Sequence, residues 1–298
     1  MRLSGLHILM TYRCNLTCDH CFVWGSPRQR GTLTIDQIEQ ILRQARDAQV
    51  DWIYFEGGEP FLYYRAMIRA IEIAHEMGFR IGVVTNAYWA RTFTGALEKL
   101  QPLAGRIDDL SISSDWYHYS KNMDKLAHYV LSAAEQLEIP IGVITVAQPE
   151  ETHAALSHGQ IEAGSSAVMY RGRAVERLVP LADRMPFEQF TECSHEDLRQ
   201  PGRVHLDPFG NVHVCQGIVI GNLFETALKE ICDRYEPDSH AICGPLLKGG
   251  PVTLMKSYDL EHESTYAEAC HMCYEARSVL RNRFPEVLTP DQMYGVTF

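Results

Sequence analysis

Over about its first 170 residues the chain alternates short apolar runs rich in β-formers with longer stretches of helical period. That rhythm is the signature of βα units and restricts the fold to an α/β architecture with parallel strands. Strands are expected at Leu6 to Met10, Trp52 to Phe55, Arg80 to Thr85, Asp109 to Ile112, Ile141 to Val146 and Ala167 to Tyr170. Between them Thr34 can N-cap a helix whose apolar face runs Ile35, Ile38, Ile41, Leu42 and Ala45, and a second helix, Tyr63 to Met77, ends at Gly78. Thr92 to Leu100 and Asn122 to Leu137 read as further helices, and Glu151 to Ser166 as a short or irregular crossover. From about Met185 the rhythm changes. Arg203 to Leu206 and Val212 to Cys215 form a hairpin across Asp207-Pro208-Phe209-Gly210-Asn211; helical stretches follow at Thr226 to Asp233 and Cys273 to Arg283, with a Gly- and Pro-containing segment, Gly244 to Pro251, between them. The chain therefore divides into residues 1–185, an α/β unit, and residues 186–298, a small α+β extension of hairpin plus helix.

The formal net charge is −11 at pH 7, with acidic residues spread along the chain, which argues against a nucleic-acid partner. No stretch approaches the ~20 apolar residues a membrane helix needs, and the first residues lack an export-signal pattern, so a cytoplasmic protein with no membrane partner is expected. Nine cysteines in such a chain point to reduced thiolates serving as metal ligands rather than to disulfides.

Three of them, Cys14, Cys18 and Cys21, fall within eight residues of one loop directly after the first strand. Thiolates so spaced converge on one object. Three ligands leave a four-iron cluster with one iron open to another molecule. A zinc ion completed by His20 or His7 is the alternative, although zinc loops usually show Cys-x2-Cys pairs. The Cys-x3-Cys-x2-Cys run and its placement resemble the radical S-adenosylmethionine (SAM) superfamily, whose loop follows the first strand of a partial (β/α)6 TIM-like barrel. His20 stands where that family usually has an aromatic residue. The resemblance implies a 4Fe–4S cluster whose open iron chelates SAM, reductive cleavage of the sulfonium to a 5′-deoxyadenosyl radical, and hydrogen abstraction from a substrate.

Gly57-Gly58-Glu59-Pro60 ends the second expected strand. Its glycines let backbone approach a ligand, and Glu59 is suited to pair with an ammonium group. Its position matches the family's motif for the SAM amino group, and Asn86, Ser113 and Asp115 stand on further strand ends of the same rim, where ribose or carboxylate contacts are expected. Helix capping or a loop turn explains these three equally. Beyond the sixth expected strand, Arg171 and Arg173 bring two permanent cations that grip a carboxylate or join surface ion pairs.

Cys193, Cys215, Cys270 and Cys273 form a second set able to close a structural zinc site or a fully ligated cluster. The run from Val204 to Cys215, with Gly210 and Cys215 in a Gly-x4-Cys hairpin, resembles the SPASM and twitch extensions of the radical SAM superfamily. That resemblance implies one auxiliary 4Fe–4S cluster and a net oxidation. Cys232 and Cys243 are expected as buried small hydrophobes, or as a hydrogen donor or extra ligand, Cys243 lying in a loop. The leading substrate expectation is a small polar metabolite, with a peptide second and a zinc-stapled binding protein as the non-enzymatic alternative. A flavodoxin or ferredoxin is the kind of electron donor implied, and a dehydrogenation needs a base, for which Arg171, Arg173, His118 and Asp115 are the candidates.

Overall fold

The computed structural model describes residues 1–115, 117–118, 124–149 and 164–296. Six parallel strands follow one another in order across a single sheet: β1 (Gly5–Leu9), β2 (Trp52–Glu56), β3 (Arg80–Thr85), β4 (Asp109–Ser113), β5 (Ile141–Val146) and β6 (Gly164–Ser166). Helices α1 (Ile35–Asp47), α2 (Tyr64–Glu76), α3 (Phe93–Leu100) and α4 (Asp124–Gln136) alternate with them. Thr34 caps α1 with a reciprocal capping box to Gln37, and Thr92 caps α3 through the Gly95 amide.

Period-two alternation separates two environments. Leu6, Ile8, Ile53, Phe55, Leu110 and Ile112 are fully buried in the main core, which the apolar faces of α1 and α2 share. Their neighbours His7, Tyr54, Glu56, Asp109, Ser111 and Ser113 instead line one cavity of about 1430 Å³, so the sheet curls around a lumen that these polar side chains share with apolar ones. The architecture is that of an open (β/α)6 barrel.

The sixth strand differs from expectation. Gly164–Ser166 pairs with Ile144 to Val146, whereas the apolar run Ala167 to Tyr170 leaves the sheet. Val168 and Tyr170 pack in a satellite cluster with Ala174, Leu178 and Ala267. Backbone pairing, not side-chain apolarity, defines this short edge strand. Residues 151–163 of the expected crossover and the first two residues of the expected Asn122 to Leu137 helix lie outside the described residues.

After α5 (Arg173–Arg177) and β7 (Met185–Pro186), the chain returns to the sheet. Strand β8 (Arg203–Leu206) runs parallel to β1 on its free edge, His7 opposite His205, and β9 (Asn211–Cys215) and β10 (Ile218–Asn222) continue antiparallel to give nine strands. The hairpin turn is built on Asp207. Its buried carboxylate accepts hydrogen bonds from the Phe209 and Asn211 amides, the Asn211 side chain, the Tyr12 hydroxyl and His213 Nε2. Helices α6 (Leu228–Arg234) and α7 (Cys243–Ser257), a two-residue strand β11 (Thr265–Tyr266) paired with β7, and α8 (Ala269–Leu280) complete the described chain. Gly244 to Pro251 is thus helical up to a break at Gly249-Gly250, and Cys243 is the buried first residue of α7 rather than part of a loop.

Candidate active site

The cysteine loop lies at the carboxyl end of β1, with all three sulfurs lining the lumen. It is held by neighbours distant in sequence. The Gly58 and Glu59 amides donate to the Thr11 and Arg13 carbonyls at 2.7 and 3.0 Å. A Cβ on Gly58 would lie 2.3 Å from the Arg13 oxygen, so the double glycine is there to let two backbones touch. On the other side Arg173 is buried, donating to the Cys18 and Gly25 carbonyls at 2.6 and 2.8 Å, and its own amide donates to the Cys21 carbonyl. Preceding it, Gly172 has φ +63° and would place a Cβ 2.5 Å from Phe22 Cα. Arg173, expected as a catalytic candidate, is therefore a staple of the loop.

Glu59 also differs from expectation. It is 0% exposed and does not line the cavity, nor does Pro60, which starts a short helical turn. One carboxylate oxygen accepts from the Phe61 amide and the Thr85 hydroxyl, the other from the Asn86 amide at 2.8 Å. The expected ammonium partner is spent on joining the ends of β2 and β3. Burial nonetheless raises its carboxyl to about 7 against those three hydrogen bonds. Its effect on the lumen passes through Asn86, whose Nδ2 donates to Asn15 Oδ1 at 3.0 Å and approaches Cys14 Sγ at 3.6 Å.

Asp115 and His118 meet across the rim, Asp115 Oδ1 to His118 Nδ1 at 2.7 Å, and both line the lumen together with Ser113, Gly57 and Gly58. Burial favours the neutral acid, but the hydrogen bond and charge of His118 outweigh it and hold the Asp115 carboxyl below its usual range. The His20 ring is 4.7 Å from that of Tyr117; burial lowers its pKa to about 4, so it is neutral.

Cys193, Cys215, Cys270 and Cys273 line one small pocket. Cys270 and Cys273 lie on the first turns of α8, three residues apart and so on one face. Two buried guanidinium groups share this pocket. Arg171 Nη1 donates to Cys215 Sγ at 3.2 Å and to Glu196, and Arg171 also lines the lumen, making it the wall between the two spaces. Arg277, 1% exposed, donates to the Gln216 carbonyl at 2.7 Å. Sequence reasoning missed Arg277, since a helical arginine one turn beyond Cys273 reads as a surface charge.

The spacing of the first cysteine set suits a cluster better than a single ion. Tetrahedral zinc–thiolate geometry needs sulfurs about 3.8 Å apart, and neither set is among the side-chain groups whose donor atoms lie within 4.8 Å of one another. Burial pushes the Cys14 and Cys193 thiols up to about 12. A bound cationic metal would make such sulfurs thiolates. Cys243 is buried within hydrogen-bond reach of Tyr235, and Cys232 is buried in α6.

Residues 8–119, which include the cysteine loop, the double glycine, Asn86 and Asp115, match the radical SAM superfamily model. The chain carries a radical SAM domain. That domain implies a 4Fe–4S cluster and SAM, and the three cysteines lining one cavity fit the former. YydG of Bacillus subtilis (strain 168), a protein assigned to peptide biosynthesis, is 29% identical over 108 residues, 36% of this chain and 34% of YydG. An S-adenosylmethionine-dependent nucleotide dehydratase of Fibrobacter sp. (strain UWH6) is 27% identical over 122 residues, 38% of this chain and 34% of that protein. Each match thus spans about a third of the curated relative's length. Native anSMEcpe with bound AdoMet shares the radical SAM fold with a TM-score of 0.52 and 11% identity, over 98% of this chain and 100% of that one. No helix among the described residues is long and apolar enough to cross a membrane.

Proposed function

We propose that this chain is a radical SAM enzyme that oxidises a small polar metabolite, with an auxiliary 4Fe–4S cluster held by the extension of residues 186–298. The observation that carries the reading is that one cysteine set lines the lumen and the other a small pocket, with Arg171 lining both spaces. Cys14, Cys18 and Cys21 would hold the first cluster, and with SAM it supplies a 5′-deoxyadenosyl radical that removes hydrogen from the substrate. Gly57, Gly58, Asn86, Ser113 and Asp115 line the space for SAM. His118, oriented through Nδ1 by Asp115, is the group placed to take a substrate hydroxyl proton. Cys193, Cys215, Cys270 and Cys273 would hold the second cluster, beside two buried cations that balance its negative charge. An external donor such as flavodoxin or ferredoxin would supply the electron.

Anaerobic purification with iron and sulfide counting tests this. About eight irons per chain are expected, and about four, or zinc instead, refutes the second cluster. The reduced protein should convert SAM to 5′-deoxyadenosine, and alanine at Cys14, Cys18 or Cys21 should abolish that. Cys270→Ala or Cys273→Ala should halve the iron and stop substrate turnover while sparing part of the SAM cleavage. A peptide substrate is the second reading, favoured by the similarity to YydG.

A further inference from the structure

Along the cavity wall three strands bring together side chains that the reading above leaves unused. His7 on β1 and His205 on β8 are direct partners in the parallel register, and their rings lie 4.9 Å apart. Glu56, the last residue of β2, faces both: Oε2 lies 3.4 Å from His7 Nδ1 and Oε1 3.3 Å from His205 Nε2. The donor atoms of the three residues all fall within 4.8 Å of one another.

These separations are long for hydrogen bonds between nitrogen and a carboxylate, which cluster between about 2.7 and 3.2 Å. They equal the edge of a tetrahedron, about 3.3 Å, around an ion with ligands at 2.0–2.1 Å. A further polar group is left over at the same place. Gln216 is 4% exposed, its Nε2 is 3.4 Å from His205 Nε2, and its Oε1 has no hydrogen-bond partner among the described residues; neither has Glu56 Oε1. Turning the carboxamide over, which exchanges atoms that look nearly alike, puts that oxygen against the same nitrogen as a fourth donor.

We infer that the cavity wall binds a divalent first-row transition ion through His7, Glu56 and His205, with Gln216 as an auxiliary donor. Two imidazoles and one carboxylate leave open positions, as in catalytic zinc sites and in iron facial triads. All four residues line the cavity, so an ion that expands to five-coordination, or that Gln216 leaves, takes an oxygen donor of the ligand, a carboxylate, phosphate or vicinal diol. The metal site stands on its own geometry; only this substrate role rests on the proposed function. His7 is fixed for the purpose by stacking on Tyr54, 4.6 Å between centroids, and Gly82 leaves the room that Tyr54 occupies.

The full chain, with its iron content measured, is incubated with zinc ions, desalted, and examined by metal analysis and zinc X-ray absorption. About one zinc per chain is expected, with a nitrogen and oxygen shell at about 2.0–2.1 Å and no sulfur shell at about 2.3 Å. Glu56→Gln and His205→Asn should each weaken zinc binding at least tenfold with the iron count unchanged, as should His7→Phe, which keeps the stack on Tyr54. No retained zinc, a sulfur shell, or variants that bind as the parent does would overturn the inference. The absorption spectrum of the unmodified chain decides it even if a variant fails to fold. Because zinc is read whether or not SAM is cleaved, failure here is distinct from failure of the enzymatic reading.

Discussion

Glu59→Gln separates what this carboxylate does from what its position first suggests. An ordinary glutamate titrates at 4.5, and Glu59, fully buried, at about 7. The gap of about 2.5 pH units, at 1.36 kcal/mol per unit, amounts to about 3 kcal/mol. Below pH 4.5 the group is protonated folded or unfolded, and the folded state bears no charge-burial cost. Between 4.5 and 7 only the folded chain keeps the proton, so stability falls as pH rises; above 7 the whole cost is present. Glutamine is neutral throughout but turns one acceptor into a donor, which orphans at least one amide or hydroxyl for about 1–3 kcal/mol at every pH. Urea unfolding of parent and variant at pH 4.5 and pH 8 isolates the effect. The parent's advantage should shrink by about 3 kcal/mol between the two. A difference that is flat with pH, or that grows, refutes the buried-carboxylate account. If Glu59 instead met the SAM ammonium directly, the variant would lose most of its SAM affinity and leave the pH slope untouched.

Arg173→Lys should release the cysteine loop, because an ammonium cannot span the Cys18 and Gly25 carbonyls as the guanidinium fork does. Loss of iron from the first set, with the second retained, checks this by iron counting and electron paramagnetic resonance. Asp207→Ala removes the acceptor shared by Tyr12, Asn211, His213 and the Phe209 amide. It should lower unfolding free energy by at least about 3 kcal/mol, measured in urea.

What could be read from the sequence is what is encoded locally. The Thr34 N-cap and the Asp207 turn make their defining backbone hydrogen bonds within a few residues, and each stands as expected. The buried partners of Glu59 and Arg173, the Asn86 amide and the Cys18 carbonyl, are 27 and 155 residues away, beyond the reach of a local reading. A charged residue beside a motif looks free until the fold supplies its partners. The polar lumen was missed for a related reason. His7, Tyr54 and Glu56 interrupt apolar runs at every second place, yet only the barrel's curvature brings those interruptions together. Strand β10 was hidden by Gly221 and Asn222, poor strand formers carried by the pairing of their neighbours.

Because the free edge of β1 is not sealed until residues 203–206 arrive beside residues 5–8, the strand waits for a partner far along the chain. A ribosome making this protein holds an unfinished sheet with exposed amide and carbonyl groups until β8 emerges, a template for pairing with a neighbouring nascent chain. Cells overproducing it should lose yield to early co-translational association, and slowing initiation rather than elongation should restore it.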